Sequence, residues 1–559
     1  MSYRRFLPLG LVALALASLL SLTASAQTNS KIQRVLLISI DGMHALDFAN
    51  CAKGVPAYGN LTYCPHLASL SATGVHYLQA LTSKPSDSFP GLVAQITGGT
   101  PRSAGIFYDV SYDRALSPPA KTTPYGIVGG AKLCPSVVGT QVGFDEEIDY
   151  NYRKLDSGKP NGSSGINGIN PDYLPRDPKN GCVPVYPHSY IRANTIFNVV
   201  KNAGGYTAWS DKHPSYDFTN GPSGDGVDDL WSPEINSIPV PIPTVQGCSP
   251  LPDPGAAKSS NAWTDSFQNI RCYDQFKVQA VLNWIDGETH DGISVGKVPN
   301  LFGMNFQSVS VGEKLVEKSL SLTGGYADPL GTPSQSLFDE IQYVDGAIGQ
   351  MVSELTKQGL LDSTLIIVSA KHGQSPIDPS RVLRIPGDVP TDEPPSQILS
   401  PGGVGPGFPV AQADEDDISM LWLTDQSQTQ SSVATLALAA NEDLFGQGEI
   451  FAGPSLMLQF NNPLTDSRVP DIIVAPNVGV IYTGGTSKVA EHGGFAYDDR
   501  NVVLIVSNPK YKPVTFNDQV ETRQIAPTIV KALGLDPNLL SAVRSEHTET
   551  LPGLPFTQQ

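Results

Sequence analysis

Two short runs constrain this chain most. Residues 34–40 read RVLLISI and stop abruptly at Asp41-Gly42; residues 364–370 read TLIIVSA and stop at Lys371-His372-Gly373. Neither run shows the polar alternation of a half-solvated strand, so each is suited to a strand covered on both faces. Residues 471–475 (DIIVA) and 501–507 (NVVLIVS) repeat the pattern, and helical spacing occupies 336–355, 431–441 and 525–533. Buried strands alternating with helices predict an α/β fold, a doubly wound and mostly parallel sheet with helices on both faces. Ligands of such sheets sit at the carboxyl ends of the strands, where Asp41, Lys371 and His372 fall.

The rest of the composition fits one large unit. Hydrophobic residues make up 40 % of the 559, enough for a sizeable core. Asp and Glu outnumber Lys and Arg by 54 to 36, and a net charge of −18 disfavours binding of nucleic acid duplexes. The stretch 110–300 is rich in Pro, Gly, Asn and Asp and reads as loop-rich insertions within a single domain spanning 27–559. A second loop is expected at 385–417, ending in Asp414-Glu415-Asp416-Asp417. At the start, Arg4 and Arg5 precede an apolar run at 9–22 and the small residues Ala24-Ser25-Ala26. That run is too short to span a bilayer and reads as a signal peptide, 1–26, which predicts a secreted or periplasmic protein without a membrane span in its mature chain. Six cysteines in an exported chain predict disulfides, paired 51–64, 134–182 and 248–272 because each pairing closes a local loop.

Chemistry gathers at the presumed strand ends. Residues 83–91 read SKPSDSFPG and lead into an amphipathic run closed by Gly98-Gly99, which places Ser88 at the N-cap of a helix with Pro90 in its first turn. A hydroxyl there lies beside free backbone N–H groups and favours a bound phosphate. His492, in Glu491-His492-Gly493, precedes the strand at 501–507. The carboxylate of Asp41, the hydroxyl of Ser88 and the imidazoles of His372 and His492 form a donor set suited to zinc or another divalent metal. Asp211-Lys212-His213 ends the short run 206–210 and offers Asp211 and His213 as additional ligands.

In this order the pieces resemble the type I phosphodiesterase/nucleotide pyrophosphatase branch of the alkaline phosphatase superfamily. The resemblance is carried by residues 36–42 (LLISIDG), Ser88-Phe89-Pro90, Thr97-Gly98 with Pro101 and Gly105-Ile106, residues 366–373, Arg468-Val469-Pro470-Asp471, Glu491-His492-Gly493 and residues 525–535. It implies an alkaline-phosphatase-like fold, zinc ions in the site, and hydrolysis of a small phosphate ester through a phosphorylated Ser88. Asp41 and His372 would ligate one metal and His492 the other. The chain departs from the pattern at Lys371, where an Asp is usual. Within residues 303–312 (GMNFQSVSVG), Asn305 stands for an Asp and Val309 for a His. Asp109 stands for an Asn that contacts phosphate, which places Asp109 and Asn305 as substrate-binding residues. Counted as formal charge, the three polar exchanges add two positive units, which the loss of one divalent ion would cancel. Lys371 is therefore expected to supply the charge of one metal. The expectation is an exported hydrolase of phosphate esters, diesters before monoesters, with one or two zinc ions. The alternatives are a phosphomonoesterase or a non-catalytic binding protein on the same scaffold. The sequence is silent on oligomeric state.

Overall fold

A computed structural model describes Met1 and residues 32–556, apart from 125, 131–133, 135–137, 145–147, 156, 158–167, 238–262, 389–390, 401–406, 447 and 484. The expected signal peptide and the pairing of Cys248 with Cys272 lie outside the described residues.

The main sheet has nine strands: β1 (Arg34–Ile40), β2 (Gly74–Leu81), β3 (Thr207–Ser210), β4 (Asp229–Trp231), β5 (Leu301–Phe306), β6 (Thr364–Ser369), β7 (Asn501–Val502), β8 (Ile505–Ser507) and β9 (Val514–Glu521). Their order is β7-β2-β8-β6-β1-β5-β3-β4, with β9 also paired to β2. β1 lies at the centre, parallel to β6 through Leu37 and Ile367 and parallel to β5 through Leu37 and Gly303. Four helices are central to its cover: α1 (Ser88–Thr97), α2 (Phe267–Ile285), α3 (Gln335–Lys357) and α4 (Ile525–Ala532).

The lack of polar alternation in the strands has its explanation in these two layers. Val35, Leu37, Leu365 and Ile367 pack on one face with Phe89 and Leu92 of α1 and Ile525 and Ile529 of α4. Leu36, Ile38, Ile366 and Val368 pack on the other with Val281 and Trp284 of α2 and Ile341 and Ile348 of α3. Successive side chains of one strand therefore enter two different cores, and both must be apolar.

Two of the expected strands sit elsewhere than in a simple parallel alternation. Ile472–Pro476 belongs to a separate four-stranded antiparallel sheet with Val410–Glu415, Ser419–Leu423 and Gly448–Ala452. A five-residue apolar run reports burial and does not say which sheet buries it. The run at 501–507 divides into β7 and β8, and β8 runs antiparallel to β6 and β2. That reversal matters, because the segment before an antiparallel strand arrives at the rim where its parallel neighbours end. His492 reaches the site by this route. The stretch 110–300 supplies β3, β4 and α2, and 385–417 contains the helix Pro395–Leu399 and the strand Val410–Glu415. Cys51–Cys64 and Cys134–Cys182 are disulfides. Among the described residues, no helix is long and apolar enough to cross a membrane.

Candidate active site

The site is built where α1 meets the end of β6. Asp87, one residue earlier than expected, is the N-cap, and its carboxylate accepts the Phe89 N–H at 2.9 Å. Ser88 is thus the first helical residue, with its hydroxyl still at the positive end of the helix. Gly98 closes α1 in the left-handed conformation at φ 76°. The helix is fixed to β6 by Gln95, whose amide donates to the Ala370 carbonyl at 2.7 Å. Gly91 allows the close approach: a Cβ there would lie 2.1 Å from the Lys371 carbonyl oxygen.

This contact sets Ser88 against His372. The Ser88 Oγ lies 3.1 Å from His372 Nε2, and His372 Nδ1 lies 3.0 Å from the Gly373 carbonyl oxygen. A carbonyl accepts only, so Nδ1 carries the hydrogen and Nε2 presents its lone pair to the hydroxyl. Burial, partly opposed by Asp41, lowers His372 to about 4, so the imidazole is neutral at neutral pH. Lys212, on the segment after β3, donates from Nζ to the same Ser88 Oγ at 3.3 Å.

Asp41, at the end of β1, is the second centre. Its Oδ2 accepts the Asn305 side-chain amide at 3.0 Å and the Gln307 amide at 2.5 Å, and lies 3.8 Å from His372 Nε2. The Lys371 ammonium stands 3.7 Å from Asp41 Oδ2 and 2.7 Å from Asp211 Oδ1. It also lies 4.0 Å above the Tyr216 ring. Burial acts to raise Asp41, but Lys371, then His372 and Lys212, hold it at about 2. Burial likewise lowers Lys371 and raises Asp211, against their mutual attraction. Two carboxylates within 3.7 Å of the one ammonium favour the ionised pair.

The remaining residues take more peripheral places. The rings of His492 and His372 are 4.2 Å apart, and His492 Nδ1 lies 3.5 Å from Asp87 Oδ1. Burial pushes Asp87 well above the carboxylate range, with Asp109 adding to the effect, and burial pushes His492 well down. Asp109 therefore stands near Asp87, and its own Oδ1 accepts the Val110 N–H at 2.8 Å. Asn305 is turned to Asp41, with its Oδ1 buried and without a hydrogen-bond partner. His213 lies beside the Phe89 ring at 6.0 Å, and both its ring nitrogens are buried without hydrogen-bond partners. Val309 is buried in the apolar core with Phe306 and Leu337. Sequence reasoning missed Lys212, Gln307 and the capping role of Asp87. Lys212 lay inside a segment already singled out, between the two residues chosen as ligands.

The donor atoms do not fit a two-metal centre. An ion held by Asp41 and Ser88 would have to share its donors with two ammonium groups, Lys371 at 3.7 Å from Asp41 Oδ2 and Lys212 at 3.3 Å from Ser88 Oγ. At about 4 Å and an effective dielectric constant of about 20, a divalent ion and an ammonium repel by about 8 kcal/mol, so cations in these positions compete with a metal. The cationic positions beside the carboxylate and the hydroxyl are taken by Lys371 and Lys212.

The chain is similar in fold to murine ectonucleotide pyrophosphatase/phosphodiesterase 5, at 13 % identity over 90 % of this chain and 96 % of that one, with a TM-score of 0.51. The human protein of the same name aligns at 12 % identity over 93 % and 97 %, also at 0.51. No curated protein sequence matches the chain. Residues 35–131 and 191–498 match the profile of the type I phosphodiesterase/nucleotide pyrophosphatase family, and that span holds every site residue named above. The matched span covers well over half of the sequence, and the chain belongs to the type I phosphodiesterase/nucleotide pyrophosphatase family of phosphoric ester hydrolases.

Proposed function

We propose that the protein is an exported hydrolase of small phosphate esters, diesters before monoesters, with Ser88 as its nucleophile. The observation that carries this reading is the contact of Ser88 Oγ with the lone-pair nitrogen of His372 at 3.1 Å. Ser88 transfers its proton to His372 Nε2 as its oxygen attacks phosphorus. The bond from phosphorus to the leaving oxygen breaks on the opposite side, and that oxygen takes a proton from solvent. Water then attacks the phosphorylated Ser88 and releases one proton to solvent, the P–Oγ bond breaks, and His372 returns its proton to Oγ. Metal dependence is typical of the family, and zinc is the ion the resemblance implies. In this chain Lys371 supplies positive charge where such an ion would, acting as a point charge toward the phosphoryl group. Two disulfides fit the oxidising compartment that export implies.

A non-catalytic anion-binding protein is the second reading, favoured by the two lysines beside Asp41 and Ser88. Hydrolysis of bis(4-nitrophenyl) phosphate and 4-nitrophenyl phosphate separates the two. The expected result is faster turnover of the diester, reduced by roughly three orders of magnitude or more in Ser88→Ala. No turnover of either ester by the wild-type protein selects the second reading.

A further inference from the structure

The misfit between the donor set and a divalent ion has a positive counterpart. Two ammonium groups reach the reaction centre from two different strand ends. Lys371 follows β6 and stands against Asp41 and Asp211, at 3.7 and 2.7 Å. Lys212 follows β3 and stands against Ser88 Oγ at 3.3 Å. Both are 7 % exposed or less, so each acts in a low-dielectric setting where a point charge is strong.

We propose that Lys212 and Lys371 together form a metal-independent cradle for the phosphoryl oxygens of a phosphate diester. Lys212 is the cation at the attacking oxygen, and Lys371, anchored by Asp211, is the cation beside Asp41. This rests on the Ser88 hydrolase reading and adds to it the role of Lys212 and the absence of any need for a divalent ion. The charge count selects the substrate class. Lys212 and Lys371 are balanced by Asp41 and Asp211, so the empty cradle is neutral. A diester brings one negative charge into it, whereas a monoester dianion brings two, at a higher cost of burial. Lys212 and His492 keep 7 % and 9 % exposure and Asp109, near Asp87, is half-buried, which places the mouth of the cradle on their side.

The test combines metal analysis with calorimetric binding of bis(4-nitrophenyl) phosphate to the full-length Ser88→Ala protein, with and without EDTA. We expect far less than one zinc per chain and the same dissociation constant with the chelator. In the same background, Lys212→Gln should weaken binding by roughly ten- to hundred-fold, with Lys212→Arg retaining most of the affinity. The chelator and metal measurements need no lysine variant, so they decide the matter even if Lys212→Gln folds poorly. Two tightly held zinc ions per chain overturn the cradle. So does diester binding that disappears with EDTA and returns with zinc. If the diester binds regardless of EDTA but the wild-type protein never turns it over, the cradle stands and the hydrolase reading falls.

Discussion

A histidine buried against a serine hydroxyl must be neutral to accept its proton, and burial holds His372 in that state down to about pH 4. The acidic limb of kcat/KM is therefore expected near 4, well below the ordinary histidine value of about 6.5. A limb near 6.5 would remove His372 as the proton acceptor. The same shift has a sign for stability. The unfolded chain binds this proton more readily than the folded one, so the contribution is present above about 6.5 and lost as pH falls through about 4. Over that window it amounts to about 3 kcal/mol, and denaturant titrations of His372→Gln should lack it. Lys371 makes a second case at this scale. Lys371→Met leaves the Asp41 and Asp211 carboxylates buried without their cation, at an expected cost of about 3–5 kcal/mol. Adding Asp211→Asn should restore much of this in urea unfolding; a single variant as stable as wild type would show that the ion pair holds nothing together. Most of these residues could be read from the sequence because strand-end acids, imidazoles and a helix-start serine are donor types that a search for metal ligands selects. That search passes over lysine. It took Asp211 and His213 and left Lys212 between them, although Lys212 is the one whose side chain touches Ser88.

The element that sets the geometry is α1, held against β6 by a glycine. Gly91→Ala would place a methyl group 2.1 Å from the Lys371 carbonyl oxygen, and backbone on both sides leaves no flexible side chain to yield. The helix must shift, carrying Ser88 away from His372. An overpacking cost of about 1–3 kcal/mol is expected. A displacement of about 1 Å between the reacting groups costs on the order of a hundred-fold in kcat. Thermal melts and steady-state kinetics of Gly91→Ala check both, and unchanged kcat would mean that α1 does not position the nucleophile. At this scale the sequence was informative in one respect and mute in another. The doubly apolar runs gave β1 and β6, because two cores demand apolar residues on both faces. Direction and sheet membership left no such mark. Hydrogen-bonded partners far along the chain decide that β8 is antiparallel and that Ile472–Pro476 joins another sheet. The expected place of His492 on the rim therefore depended on a strand reversal that its local sequence does not encode.

For the molecule as a whole, charge and site work against each other. The chain carries −18, while a phosphate diester is an anion. A pocket rich in unbalanced cations would project a positive field and draw the substrate in, as charged clefts do. Here the charges of Lys212 and Lys371 are equalled in number by Asp41 and Asp211, both of which stand against Lys371, so little of the field extends past the mouth lined by Lys212, His492 and Asp109. The long-range term is then the repulsion from the acidic surface. At about 0.01 M ionic strength the Debye length is about 30 Å, and the whole protein is felt by an approaching anion; at about 0.15 M it is about 8 Å, and only the rim is felt. Raising ionic strength across this range should therefore increase kcat/KM for bis(4-nitrophenyl) phosphate by roughly two- to ten-fold, with kcat unchanged, because encounter is affected and the buried chemistry is not. A neutral phosphotriester competing for the same pocket should show no such dependence. A kcat/KM that falls with salt would mean that the lysines, and not the surface, dominate the approach, and that Asp41 and Asp211 do not balance Lys212 and Lys371.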